Sequence, residues 1–191
     1  MGCNIGVKKL KDAADGDMAA KKVLFLGLDN AGKSTVLFQL KDNSFKDTVP
    51  TVGLNVENIK YKSMEFTLWD VSGQATKLWK HYFDKINAII FVVDSTDQER
   101  LERARDELHK IVDDEELNGA PILVYANKQD LAGALSADEV FAELSLQLII
   151  DEKKKELAFQ GCSAKSGDGI WEGIQKLVEV IQVVEKNVQN T

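Results

Sequence analysis

The chain has 191 residues, enough for one domain with a single buried core, and its composition of 44% hydrophobic and 29% charged residues is ordinary for a globular protein. A formal net charge of -7 leaves no basic surplus to neutralise phosphates, which argues against a general nucleic-acid-binding protein. No apolar run approaches the roughly 20 residues of a membrane-spanning helix, and the N-terminus lacks a long apolar secretory core, so we expect a cytoplasmic protein.

The first 20 residues differ from the rest of the chain in having few bulky apolar side chains. They predict a separate N-terminal arm and linker over 1–20, followed by one domain over 21–191. Gly2 is at the position that N-myristoylation modifies, although Gly6 replaces the Ser or Thr of the usual pattern. Three lysines follow within the arm, and basic side chains add to the weak membrane affinity of a single acyl chain. We therefore expect a lipidated arm that contacts a membrane surface.

From Lys22 onward, short apolar runs alternate with helical patterns. Near-continuous apolar strands separated by helices predict a parallel sheet that is covered on both faces. The run before Asp70 is an exception, because it follows another strand-like run too closely for a crossover helix. These two runs must form a hairpin that turns near Lys62 and Ser63. The apolar runs lie at 23–28, 66–70, 88–94 and 121–127, and the clearest helical faces lie within 101–112 and 170–181.

The stretch "GLDNAGKS", Gly27 to Ser34, matches the phosphate-binding pattern G-x-x-x-x-G-K-[ST] and lies between an apolar strand and a helical pattern. Successive backbone N–H groups at the start of a helix bind phosphate, and glycine lets the backbone approach the anion closely. Lys33 is predicted to reach the β- and γ-phosphates, and the Ser34 hydroxyl to ligate Mg²⁺. The expected nucleotide contacts of this stretch are Asp29, Asn30, Ala31, Gly32, Lys33, Ser34 and Thr35.

Two later stretches indicate the base. "NKQD" directly follows the apolar run 121–127, and "SAK" follows a short strand-like run near the C-terminus. The Asp130 carboxylate can accept both N–H donors of one guanine edge, a pair that adenine lacks, and the Ala164 backbone N–H can meet the guanine carbonyl. The sequence therefore predicts GTP or GDP as the bound nucleotide. The residues expected to hold the base are Asn127, Lys128, Asp130, Ser163, Ala164 and Lys165.

With these motifs in order, the sequence resembles the small GTPases, and the Arf and Arf-like family in particular, through "GLDNAGKST", "PTVGLNVE", "WDVSGQ", "LWKHYF", "ANKQDL" and "SGDGIWEGI". The resemblance covers residues 22 to about 182. It implies a P-loop α/β fold, with a mostly parallel six-stranded sheet, one antiparallel edge strand and five helices on both faces. It also implies GTP/GDP cycling with Mg²⁺, a membrane-traffic or ciliary role, and reversible association with Golgi, other endomembranes or the cilium. The partners it implies are an exchange factor, an activating protein and effectors that contact residues 46–83.

The sequence departs from the family pattern at three places in this region. Ser72 stands where most members have glycine, and Leu54 where phenylalanine is common. The segment between Gln74 and Trp79 is two residues shorter than usual and lacks the usual arginine and proline. These departures affect the expected partner surfaces and the placement of Gln74 rather than nucleotide binding.

A second group of residues is expected to respond to the γ-phosphate. Thr51 can close over it, with its hydroxyl on Mg²⁺ and its backbone N–H on the phosphate, while Asp70 holds the metal through water. The Gly73 N–H is expected to bond the γ-phosphate, and Gln74 to orient the attacking water as the catalytic residue. The predicted metal residues are thus Ser34, Thr51 and Asp70.

Phosphoryl transfer also needs positive charge on the transition state. The arginines of the chain are Arg100, Arg103 and Arg105, and we expect all three to lie on the helix after Asp94, out of reach of the phosphates. An activating protein must then supply an arginine, and the isolated protein is a slow switch rather than a metabolic enzyme. We also expect Trp69, Trp79 and Tyr82 to form an exposed aromatic patch for effectors.

Two alternatives remain. The first is a GTP-locked binding module, in which the shortened segment after Gln74 prevents hydrolysis. The second is a nucleotide kinase or ATPase that uses the same phosphate-binding stretch. "NKQD" and the absence of an arginine-rich lid in the sequence disfavour the second alternative.

Overall fold

The structure is a computed structural model that describes residues 20–45, 48, 51, 53–74, 76–153 and 155–189. The predicted arm, apart from Ala20, and its acylation site at Gly2 lie outside these residues. No helix in these ranges is both long enough and apolar enough to cross a bilayer.

Six strands form one sheet in the order β2-β3-β1-β4-β5-β6. The β2–β3 pair is antiparallel and every other neighbouring pair is parallel. This arrangement confirms the predicted mostly parallel sheet with one antiparallel edge strand. The strands are β1 (Lys21–Leu26), β2 (Leu54–Tyr61), β3 (Met64–Val71), β4 (Ala88–Asp94), β5 (Ile122–Asn127) and β6 (Leu157–Gly161).

The described residues contain five α-helices, and three short 3-10 turns lie among them. The helices are α1 (Lys33–Asp42), α2 (Leu101–Val112), α3 (Ala137–Glu143), α4 (Leu146–Lys153) and α5 (Ile170–Gln189). The 3-10 turns are Thr76–Tyr82, Gln98–Arg100 and Glu115–Leu117.

Both faces of the central strands β1, β4 and β5 are buried, as their apolar runs predict. Val23 and Phe25 of β1 pack in the layer that holds α1 and α5, while Leu24 and Leu26 pack in the layer that holds α2, α3 and α4. Neighbouring residues of a strand point to opposite faces. Because a packed layer covers each face, all four side chains are fully buried. Full burial of each such side chain contributes about 1.5–3 kcal/mol, and this fixes the register of the central strand.

The hairpin of β2 and β3 forms as predicted. Its register pairs Leu54 with Val71 at the open end and Tyr61 with Met64 beside the turn. The turn passes through Lys62, whose φ of 54° is left-handed. The hairpin places β2 at the edge of the sheet. Since β1 and β3 are parallel neighbours, their carboxyl ends lie side by side, and the segments that follow them start from the same edge.

Candidate nucleotide-binding site

The phosphate-binding stretch is shaped by two glycines. The chain leaves β1 at Gly27 with a φ of 135° and enters α1 through Gly32 with a φ of 94°. An added Cβ would lie 2.2 Å from the carbonyl oxygen of Val92 at Gly27, and 2.4 Å from Nδ2 of Asn127 at Gly32. Glycine is therefore required at both places, and the loop packs directly onto the ends of β4 and β5.

Lys33 is folded into this loop. Its side chain donates hydrogen bonds from Nζ to the carbonyl oxygens of Gly27 at 2.9 Å and Leu28 at 3.0 Å. The residue is only 6% exposed, and burial lowers the pKa of Lys33 to about 8. The carbonyl groups of the loop hold the Lys33 ammonium group beside the cavity. A phosphate bound there would pair with this ammonium group and stabilise its positive charge.

Three oxygen-bearing side chains converge beside Lys33. Oδ2 of Asp70 accepts hydrogen bonds from Ser34 Oγ at 2.5 Å and from Thr51 Oγ1 at 3.2 Å, and the two hydroxyl oxygens lie 2.9 Å apart. The structure thus brings together the three predicted metal residues.

The second carboxylate oxygen of Asp70, Oδ1, is available to bind a cation. Oδ1 is buried and has no hydrogen-bond partner among the described residues, and burial raises the pKa of the Asp70 carboxyl. A buried carboxylate with a free oxygen, next to two hydroxyl groups, is a donor set that suits Mg²⁺. Ser34, Thr51 and Asp70 would hold the ion, directly or through water, and its charge would keep Asp70 ionised.

The segment after β3 lies against the phosphate-binding stretch. A Cβ on Gly73 would lie 2.3 Å from the backbone nitrogen of Asp29, so this glycine touches the loop directly. Beside it, Ser72 accepts a hydrogen bond from Nε1 of Trp79 at its carbonyl oxygen, 3.1 Å away. The Gln74 N–H donates to Ser72 Oγ at 3.4 Å, and Gln74 is exposed. The predicted catalytic residue therefore stands at the rim of the site.

A cavity of about 280 Å³ lies between these segments. Its walls include Thr48, which sequence reasoning did not predict; its hydroxyl lies 3.3 Å from that of Thr35. The lining residues are Asp29, Asn30, Gly32, Lys33, Ser34, Thr35, Thr48, Thr51, Ser72, Gly73, Gln74 and Lys128.

The predicted base-binding residues are tied together by hydrogen bonds. The Asn127 side chain donates to the carbonyl oxygen of Ala31 at 2.9 Å and accepts from the Ala164 N–H at 2.9 Å. Asp130 accepts from Ser163 Oγ at 2.7 Å. These contacts bring the "NKQD" and "SAK" loops together and join them to the phosphate-binding stretch.

Two of these residues face a different concavity. Asp130 and Ser163 line another open space of about 520 Å³ rather than the 280 Å³ cavity. Lys128 lies between the two regions in an uncommon backbone conformation, with φ at 68°, and its Nζ donates to Asp94 at 2.6 Å. Lys165 contributes its carbonyl oxygen, which accepts a hydrogen bond from Gln39 of α1 at 3.4 Å.

Arg100 is not where the sequence led us to expect it. It lies in the 3-10 turn before α2, and its guanidinium donates to Oδ1 of Asp29 at 3.0 Å and to the Asp29 carbonyl oxygen at 3.4 Å. The expectation that all three arginines lie on the helix is wrong for this residue, although its guanidinium contacts the phosphate-binding stretch and not the cavity itself. Arg100 contacts this loop through Asp29 and is not among the residues that line the 280 Å³ cavity.

The expectation of an exposed aromatic patch is also wrong in part. Trp79 is 2% exposed and packs edge-on against Phe91, with ring centroids 6.4 Å apart. Trp69 and Tyr82 are only half-buried. Among the described residues of this region, the exposed large apolar side chains are instead Leu54, Val56 and Leu78.

Comparison with known proteins identifies the family of this chain. The family model of the ADP-ribosylation factor (Arf) family matches residues 8–181. A solved structure of the Arl6 BBS3 small GTPase from Trypanosoma brucei, with bound nucleotide analogue GppNp, is similar, with a TM-score of 0.77 and 33% sequence identity. That match covers 85% of this chain and 98% of the Trypanosoma chain. The chain belongs to the Arf family of small GTPases.

Proposed function

We propose that this protein binds GTP or GDP with Mg²⁺ at the described cavity, hydrolyses GTP slowly, and regulates membrane traffic through effectors that recognise the GTP form. One observation carries the proposal. Ser34, Thr51 and Asp70 come from three separate segments, yet their side-chain oxygens lie within 3.2 Å of one another. A metal-bound nucleotide gives these oxygens a shared partner, and a change in its γ-phosphate would act on the segment that carries Thr51.

Gln74 is the proposed catalytic residue. It lines the cavity and follows Gly73, which touches the phosphate-binding stretch, and this position supports a role at the far end of a bound triphosphate. Its role is to orient the attacking water. Among the described residues the cavity wall contains no arginine, which supports an activating protein as the source of the transition-state cation. We therefore expect intrinsic turnover on the order of 10⁻⁴ s⁻¹.

Single-turnover hydrolysis of radiolabelled GTP tests this assignment. The wild-type protein should turn over slowly, and Gln74→Leu should be at least about tenfold slower, because the water is no longer oriented. Gln175→Leu is the matched control, since Gln175 lies on α5 and bonds the neighbouring Glu179; it should equal the wild type. Turnover of the isolated protein faster than about one per minute would show that a cation within the chain assists.

The second candidate is a GTP-locked binding module. The exposed position of Gln74 and the shortened segment after it favour this alternative. In that case Gln74→Leu and the wild type would hydrolyse GTP at the same rate, and a cell extract that contains activating proteins would accelerate neither. An extract that accelerates the wild type but not Gln74→Leu supports the switch.

The exposed side chains of Leu54, Val56 and Leu78 support an effector surface within residues 46–83. Two lie on the edge strand β2 and the third on the 3-10 turn that follows Gln74, so both segments next to the nucleotide contribute. We infer that effectors contact this region, and that an exchange factor and an activating protein also act on this chain. We also infer that the protein is cytoplasmic and reversibly membrane-associated, through a lipidated Gly2. A pull-down with the Gln74→Leu protein in its GTP and GDP forms would identify partners that depend on the nucleotide.

A further inference from the structure

Asp29 is an unfavourable residue for a phosphate-binding stretch. It lines the proposed phosphate cavity, and its backbone nitrogen is in contact with Gly73 across the loop. A carboxylate on a residue of this wall repels the negative charges of a di- or triphosphate, and this repulsion weakens binding of the anion. Some feature of the protein must offset that charge for the cavity to bind a nucleotide tightly.

The side chain of Arg100 meets Asp29 in a small neighbouring depression and does not line the cavity itself. One guanidinium nitrogen donates to Oδ1 of Asp29 at 3.0 Å and the other terminal nitrogen to the Asp29 carbonyl oxygen at 3.4 Å. Both side chains are about one-third exposed, at 32% for Arg100 and 35% for Asp29. The arginine thus holds the carboxylate and the backbone of the same loop residue, a geometry that the shorter, single-point ammonium of lysine cannot reproduce.

The position of Arg100 is itself fixed by its own turn. Its Nε donates to Oδ2 of Asp97 at 2.6 Å, and its backbone N–H donates to the Asp97 carbonyl oxygen at 3.1 Å. The Asp97 N–H in turn donates to the carbonyl oxygen of Asp94, the last residue of β4, at 3.3 Å. The guanidinium is therefore preorganised by the sheet and does not depend on the nucleotide for its placement.

We propose that Arg100 is a positioning residue for nucleotide binding, a built-in counter-charge that holds the Asp29 carboxylate away from the phosphates. The inference rests on the proposed function, because it concerns the phosphates of the nucleotide that the cavity would bind. Without Arg100, Asp29 and Asp97 would be two neighbouring carboxylates beside a polyphosphate. With Arg100 in place, the loop presents its N–H groups and Lys33 to the anion, and the acidic side chain is neutralised by the guanidinium.

The test measures release of a fluorescent GDP analogue in Mg²⁺ from the full chain. Arg100→Ala should release the nucleotide about tenfold faster than the wild type at low salt, and the difference should shrink at high ionic strength because the repulsion is screened. Arg100→Lys should fall between the two. Arg105→Ala is the control, since Arg105 pairs with Glu102 and Asp106 at the surface of α2; it should behave as the wild type.

A second variant separates charge neutralisation from a structural role. Asp29→Asn removes the repulsive charge, so the double variant Arg100→Ala with Asp29→Asn should regain the wild-type release rate. Fast release that persists in the double variant, or equal release by Arg100→Ala and the wild type, would overturn the inference. A wild-type protein that fails to bind the GDP analogue at all would overturn the proposed function, and the inference with it.

Discussion

The side-chain amide of Asn127 donates a hydrogen bond to the carbonyl oxygen of Ala31, 96 residues earlier in the chain, at 2.9 Å. The same side chain accepts a hydrogen bond from the Ala164 N–H, also at 2.9 Å. Asn127 is 1% exposed, so neither bond competes with bulk water. One buried amide therefore joins the proposed phosphate-binding and base-binding loops into one frame.

We expect Asn127→Ala to weaken this frame even without nucleotide. The substitution leaves a buried carbonyl and a buried N–H without a partner, and each such group costs about 1–3 kcal/mol. A net loss of about 2 kcal/mol lowers the melting temperature of a protein of this size by roughly 4 to 8 °C. Calorimetry on the nucleotide-free protein measures this. Gln147→Ala, which removes an exposed contact to Asp151, is the control and should melt within about 1 °C of the wild type.

Asp130→Asn should change the preferred base from guanine towards xanthine. The amide replaces one acceptor of the carboxylate with a donor, which suits the xanthine edge. Its remaining oxygen can still accept the hydrogen bond from Ser163 Oγ, which lies 2.7 Å from Asp130 in the wild type. Competition of unlabelled GDP and xanthosine diphosphate against a fluorescent nucleotide gives the ratio of affinities. A variant that keeps the guanine selectivity of the wild type would exclude the proposed role of Asp130.

Gly73→Ala should impair binding of a GTP analogue far more than binding of GDP. The new Cβ would lie 2.3 Å from the Asp29 nitrogen, so the segment after β3 cannot close on the phosphate-binding stretch. GDP lacks the γ-phosphate that this closure is proposed to serve. We expect the GppNp affinity to fall at least about tenfold, equivalent to about 1.4 kcal/mol.

Ser72→Ala serves as the neighbouring control for that experiment. It adds no atom towards the phosphate-binding stretch and should retain the ratio of GppNp to GDP affinity. If Gly73→Ala lowered the affinities for GppNp and GDP equally, the contact with Asp29 would support the conformation of the phosphate-binding stretch and not the binding of the γ-phosphate.

The N-terminal arm should couple nucleotide state to a membrane. Co-expression with N-myristoyltransferase should add the mass of one myristoyl group at Gly2, and the modified protein should sediment with anionic liposomes better with GTP than with GDP bound. One acyl chain alone gives marginal, reversible binding, so a nucleotide-dependent contribution of the arm is measurable. Gly2→Ala should remove both effects. Equal sedimentation in the two nucleotide states would disprove the coupling, and an unmodified Gly2 would disprove the anchor.

The placement of the loops that follow the strands was predictable from the sequence. A parallel sheet gathers the carboxyl ends of its strands at one edge, so motifs that follow β1, β3, β5 and β6 must come together. Apolar runs predicted β1, β3 and β5, and a short strand-like run predicted β6. The hairpin of β2 and β3 followed from the short separation of its two runs. The convergence of Ser34, Thr51 and Asp70 agrees with that reasoning.

The contacts that depend on local turn geometry were not predictable. A helical pattern around Arg100 indicates a face of α2 but does not show that the preceding 3-10 turn directs the guanidinium towards Asp29. The spacing of Asp97 and Arg100 was the available signal, because an acidic and a basic residue three apart pair within a turn. Trp79 and Phe83 are four residues apart, a spacing that puts two apolar side chains on one face of a helical turn. Both are buried, so this spacing was a signal of core packing rather than of an effector surface.

The hydrogen bond from Trp79 to the Ser72 carbonyl has an entropic consequence. Both ends of the segment that carries Gln74 are held by contacts internal to the protein, at Ser72 by this bond and at Trp79 by packing against Phe91. Fixing the backbone of one residue costs about 1–2 kcal/mol of conformational entropy. A short segment with anchored ends has less of that freedom to lose when GTP arrives, so less of the nucleotide's binding energy is consumed in ordering Gln74.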